Sequence, residues 1–434
     1  IITDKAGTAA NFTTIEAFEN TGVNSYAGLT DTAAAIAAAA INNTVVDLII
    51  TDKAGTAANF TTIEAFANTG VNSYAGLTDT AANLAGASLN DTIQEVTVIG
   101  GTASAANLNN IDGKISSVVD ATGINTITGT AAAVITAIQS AGIETSTDYD
   151  VTIDGNITVA NANIIDADTN GVITATISNK TTAQLKQLTG TGNAYTITVG
   201  TVFADAADLN TIDNATTLQV TATAVTTLTG SAANIDTAIN SAGLNLAGNV
   251  AVQVDGNATV AQANSIAEQT SGVVTATITE NDTATLVNLL ESGNAYTITV
   301  TDASASANDL QTIDAATTEV ITATAVQTLT GSATAIVNVL EGSTVSLAPD
   351  IAVNVNVGSA TVNQANRIDA ETTGVITATI SDTSAATLIN LNGTGNAYSI
   401  TVVGASVTAA NLMTIDSKTT VNVNANGVTT ITGT

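Results

Sequence analysis

The sequence predicts an α/β solenoid, and three observations carry that prediction. The first is a long period. Gly192-Asn193-Ala194-Tyr195-Thr196-Ile197-Thr198-Val199 returns as Gly293-Asn294-Ala295-Tyr296-Thr297-Ile298-Thr299-Val300, and again as Gly395-Asn396-Ala397-Tyr398-Ser399-Ile400-Thr401-Val402. The three tyrosines lie 101 and then 102 residues apart, a regularity that marks a repeat architecture. The second observation is a short alternating stretch inside each repeat. Tyr195, Ile197 and Val199 fall on one side, and Thr196 and Thr198 on the other, as in a half-buried strand. The third is helical spacing downstream of such stretches, as at Val260, Ala263 and Ile266.

Taken in order, residues 1–34 and 49–82 are the same sequence apart from Glu19 against Ala67. Residues 1–92 therefore read as two double units of ~48 residues, each holding two units of ~24 residues. From residue 93 to 434 the units group in fours of ~101 residues. Asp112, Asp213, Asp314 and Asp416 each follow a Leu-x-x-Ile pair and lie 101, 101 and 102 residues apart. Val159-Ala162-Ile165, Val260-Ala263-Ile266 and Val362-Ala365-Ile368 keep the same steps. Ser, Thr or Asp precedes most helical runs, which suits N-capping. Each helix can hold only two or three turns and must be held by its neighbours.

The expectation is a single continuous body over 1–434, about eighteen stacked units, each one parallel strand and one short helix. One parallel sheet would run along one side and a row of helices along the other. An all-β helix is the structural alternative. Ile1 already sits inside a repeat, so the chain reads as an internal piece of a longer protein.

Composition narrows the function classes. Thirty-seven acidic residues against seven basic ones give a formal net charge of −30. That argues against nucleic acid as a partner, since phosphate binding needs clustered Lys and Arg. The longest purely apolar run, Ala33 to Ile41, is nine residues, too short for a transmembrane segment. There is no His and no Cys, so Ser-His-Asp and Cys-His catalysis are excluded. Asp166 with Asp168, and Asp369 with Glu371, pair carboxylates, but Glu268 and other matching positions break the pair. The chain reads as no enzyme and requires no cofactor.

Two sets of residues are candidates for binding. Turns containing Asp154, Asp255, Asp213 and Asp314 supply the oxygens that calcium needs, although Asp and Asn also make turns and cap helices. Outward threonines form the second set: Thr174, Thr176, Thr196, Thr198, Thr221, Thr223, Thr275, Thr277, Thr297 and Thr299. They are expected to form two rows on the sheet face, interrupted at Gln253/Asp255 and Asn354/Asn356. Thr-x-Thr rows on a flat β-solenoid resemble ice-binding proteins. The same face could take cell-surface glycans, while Thr is also an ordinary exposed strand residue. Asn-x-Ser/Thr triplets for sugar attachment begin at Asn11, Asn59, Asn156, Asn179, Asn214, Asn257 and Asn281.

The near-identical, Thr-, Ala- and Asp-rich repetition resembles the repeat regions of giant secreted bacterial surface proteins of the adhesin, surface-layer and extracellular filament type. In unit length and strand-plus-helix layout it loosely resembles leucine-rich repeats, though the Leu-x-x-Leu-x-Leu-x-x-Asn frame is absent. The resemblance implies an extracellular or cell-surface, structural or adhesive role, with copies of itself or adjoining repeats as partners. The Gly-Gly-x-Gly-x-Asp calcium repeats common in such proteins are absent.

Overall fold

Parallel strands and short helices alternate along the whole chain in a computed structural model that describes every residue except Asn20 and Thr434. The residues fall into two compact units. The first comprises Ile1–Thr201, Thr211–Ala222 and Gly243–Asn245; the second comprises Val202–Asn210, Thr223–Ala242 and Leu246–Thr434.

In the first unit, the strands Leu77–Thr80, Val96–Ile99, Val119–Ala121 and Ile143–Thr145 make one parallel sheet. The strands Thr102–Ser104, Thr126–Gly129, Asp150–Ile157, Ile173–Ile177 and Ala194–Thr196 make another. Two five-stranded parallel sheets recur in the second unit, from Phe203–Asp205 to Ala295–Thr297 and from Ser304–Ser306 to Ala397–Ser399. The architecture is therefore α/β with parallel pairing, as the alternation predicts. The expected single strand per segment and single sheet are corrected: most helices follow two strands, which join different sheets, and the described residues form nine sheets. Glycine explains the corner in one such run. Gly100 has φ +106°, a backbone that side chains disfavour, so Val96–Ser104 breaks into two strands.

Inward strand residues line up from segment to segment. Ala103, Ile127, Val151 and Ile173 are register partners across four strands, and all are buried. Ala204, Leu228, Val252 and Val274 repeat the row in the second unit, and Ala305, Leu329, Val353 and Ile376 repeat it again. One helix position per segment closes the core from the other side, as Leu108, Val134, Ala162 and Leu185 do with no exposure at all. Burying a Val, Leu or Ile side chain contributes about 1.5–3 kcal/mol, so these rows are the main source of stability.

Helices of 4 to 10 residues need more than burial to persist. Thr158 and Thr259 cap their own helices, accepting the Asn161 and Gln262 N–H groups at 3.2 Å. The first helical N–H is satisfied by the following segment. Asp31 accepts from Ala9 at 3.1 Å, Asp79 from Ala57 at 3.1 Å, Asn179 from Val159 at 2.9 Å, Glu280 from Val260 at 3.0 Å and Asp382 from Val362 at 2.7 Å. Carboxylates at helix N-termini also suit the macrodipole, which accounts for part of the acidic composition.

Side-chain amides tie consecutive helices. Asn109, Asn163, Asn210, Asn264, Gln311 and Asn366 each donate to a carbonyl 24 residues later, at 2.7 to 3.0 Å. A Thr-x-Gly turn ties the strand starts. The Thr169, Thr270 and Thr372 hydroxyls donate to the Tyr149, Val250 and Ile351 carbonyls and accept from Gly171, Gly272 and Gly374 N–H. Glycine is required there because the backbones touch. A Cβ on Gly272 would stand 2.4 Å from the Val250 oxygen.

Gly272→Ala should therefore lower stability by about 1–3 kcal/mol, read as a lower urea midpoint. Gly248→Ala, where nothing lies within 4 Å, should leave the midpoint nearly unchanged. Equal midpoints for the two variants would reject the backbone-contact account.

Candidate binding face and carboxylate positions

All ten candidate threonines are exposed on strand or strand-flanking positions. Their arrangement differs from two continuous rows. Thr176 is the register partner of Thr196, and Thr277 of Thr297. Thr174 and Thr275 instead face Ala194 and Ala295 on that side, with Thr152 and Gln253 on the other. Thr198 and Thr299 bridge to Thr221 and Thr322, beyond the end of the five-stranded sheets. Thr223 follows the strand Val220–Ala222, which belongs to a separate two-stranded sheet. The rows are short because the chain steps from one sheet to another within a segment, which period-two alternation does not reveal.

Asp154 and Asp255 sit exposed in bulges. The five residues Thr152 to Asn156 oppose the three from Thr174 to Thr176, and Gly155 turns the chain at φ +86°. The stretch from Gln253 to Asn257 repeats this, with Gly256 at φ +87°. The corresponding stretch of the third repeat carries Asn356 in place of the aspartate.

Asp213 and Asp314 have a different surrounding. A Cβ on Gly243 would lie 2.0 Å from the Asp213 Oδ1, so this carboxylate rests on the next loop. Asp314 accepts the Thr344 N–H at 3.1 Å and also the Thr344 hydroxyl. Asp112 accepts from Ser140 at 2.7 Å, and Asp166 and Asp369 accept from Asn193 and Asn396 at 2.9 Å. An aspartate near a helix C-terminus opposes the macrodipole. The donors of the following loop offset that cost, so these aspartates close loops between segments. Among the described residues, no three His, Cys, Asp or Glu side chains gather as a metal site.

On the sheet side, buried side-chain amides also connect the segments. Asn193, Asn294 and Asn396 are buried, and their Oδ1 atoms accept the Ile173, Val274 and Ile376 N–H groups at 2.8 to 2.9 Å. Their carbonyls accept from Thr217, Thr318 and Thr420 at 2.8 Å. The Thr317 hydroxyl accepts the Tyr296 N–H and donates to the Tyr296 carbonyl, both at 2.9 Å, and Thr216 does the same for Tyr195. These asparagines recur with the same period as the tyrosines, the one signal that singles them out. Tyr195, Tyr296 and Tyr398 are buried core residues. Burial, and then the nearby Glu291 charge, pushes the Tyr296 hydroxyl up to about 12.

No protein-family model matches the chain, and no curated protein is found to be similar to it.

Several carboxyls are held below their ordinary range: Glu16 by the Asn24 amide, Asp47 by Lys5, Asp282 by the Thr285 hydroxyl, and Glu341 by Arg367. A depressed folded pKa contributes stability that is present above the unfolded value, about 4, and is lost as pH falls through the folded value. Self-repulsion at −30 has the opposite trend but is screened beyond about 10 Å at ~0.1 M salt. The melting temperature at that ionic strength should stay level down to about pH 5 and fall below about pH 4. Circular dichroism melts checks this, and a melting temperature that rises on acidification would overturn it.

Proposed function

We propose that this chain is a structural stretch of an extracellular or cell-surface repeat protein, an α/β solenoid that serves as a rod, filament or stalk. One observation carries the reading. The same inter-segment hydrogen bonds, from helix amide to carbonyl at a spacing of 24 residues, recur through successive long repeats. Chemistry conserved in this way along the chain specifies stacking and not turnover. Recurring Asp, Asn and Thr positions such as Asp166, Asn193 and Thr216 hold neighbouring segments together. The acidic surface is consistent with keeping such bodies apart and soluble. Small-angle scattering and negative-stain microscopy test it: the expected particle is several times longer than wide, and a compact globule would sink the proposal.

A second reading assigns the outward threonines to binding of ice or a glycan. The in-register pairs Thr176 with Thr196 and Thr277 with Thr297 favour it. All six tyrosines are buried, which leaves those pairs without the tyrosine rings that stack on sugars and makes ice the better-fitting ligand. A thermal-hysteresis assay is expected to register activity that Thr176→Lys and Thr277→Lys remove; no activity in the unmodified protein would eliminate the ice version.

A further inference from the structure

The second unit carries a discontinuity that recurs once per long repeat. Most of its helices run 8 to 10 residues, but Thr283–Leu286 and Ala385–Leu388 are single turns of four. Side-chain hydrogen bonds join neighbouring helices on either side of these turns. Asn210 reaches Asn234, Ser265 reaches Asp236, and Asn264 reaches Asn288 just after the first short helix. Gln311 reaches Ala335, Arg367 pairs with Glu341, and Asn366 reaches Asn390 just after the second.

Two junctions lack this connection. Among the described residues, no such bond runs from Leu286–Ser292 to the helix Ala307–Ala316, or from Leu388–Asn392 to the helix Ala409–Asp416. A groove of about 600 Å³ lies at the first of these junctions, lined by Leu289, Leu290, Ser292, Gln311, Thr312 and Ala315. Leu290 is 66% exposed beside it.

The sheets change over at the same places. Ala295–Thr297 closes one five-stranded sheet and Ser304–Ser306 opens the next, although both precede the same helix. Ala397–Ser399 likewise closes its five-stranded sheet, and Thr401–Gly404 and Val407–Thr408, which precede the same helix, each join a separate two-stranded sheet. What still spans each junction is on the strand side and at the start of the short helix, where the Thr283 N–H donates to Asp302 at 2.6 Å and the Val403 N–H to the Thr383 carbonyl at 2.9 Å. The pairing of Val274–Ile278 with Ala295–Thr297 and the bond from Val274 N–H to the buried Asn294 hold the first. Ile376 and Asn396 hold the second.

We propose that these junctions are built-in seams, and that the block of four segments between them is the unit in which the fold opens. The helix layer parts at the seam, while Asn294 and Asn396 act as the pins on the sheet side. Neighbouring segments inside a block are tied on both sides, so they release together. The proposal does not depend on where the protein resides or on what it binds.

Single-molecule extension of the whole chain between terminal handles tests it. One block of ~101 residues should release about 300–350 Å of contour per event. Events of about 80 Å, one segment at a time, would overturn the proposal, as would one event for the entire chain. Asn294→Leu leaves the Val274 N–H without its acceptor, and should lower the release force at one seam and leave the other unchanged. Should that variant fail to fold, the step length of the unmodified chain decides alone.

Discussion

The hydrogen bond from a side chain of one segment to the backbone of the next is the interaction on which this structure depends. Apolar rows such as Ala103, Ile127, Val151 and Ile173 supply most of the burial energy, but burial is non-directional. A row of Val and Ile would tolerate several offsets between neighbours. The Asn193 Oδ1 on the Ile173 N–H tolerates one, because a buried amide without its partner costs about 1–3 kcal/mol. Direction and distance therefore come from polar groups, and the repeated sequence ensures that each segment meets the next in the same way.

The same logic explains an unusual composition. Aspartate, asparagine and threonine are poor choices for helix interiors, yet they are abundant here. Many of them sit at helix starts, helix ends and strand starts, where backbone groups are left over. Asp79 and Asp382 accept helical N–H groups from another segment, and Asp314 takes the donors of a later loop. Lys114 takes the opposite part, donating to the Ala85 and Ala87 carbonyls at the end of the helix Ala81–Gly86. A carboxylate placed in this way is a structural group first, and that bears on how an acidic repeat sequence is read for metal sites.

Much of the fold was legible before any coordinates. The strand Ile173–Ile177, the helix Val260–Ala267 and the parallel pairing follow from alternation, helical spacing and the short distance between consecutive strands. The candidate site was less legible. The outward threonines are exposed, but Thr198 and Thr221 lie off the sheet that holds Thr174 and Thr176. Asn193 was in view as part of a repeated stretch, yet no residue pattern states that its side chain will accept from a strand 20 residues earlier.

What the sequence determined by itself is the repeat, its two periods and the inward face of each strand, because hydrophobic periodicity is a local property of the chain. What only the tertiary structure decided is which sheet each short strand joins and where the helix layer is left untied. Those outcomes depend on contacts between segments some 20 to 30 residues apart, on a glycine such as Gly272 that lets two backbones touch, and on helices cut to a single turn. Such effects arise when a segment meets its neighbour, and they have no signature within the segment alone.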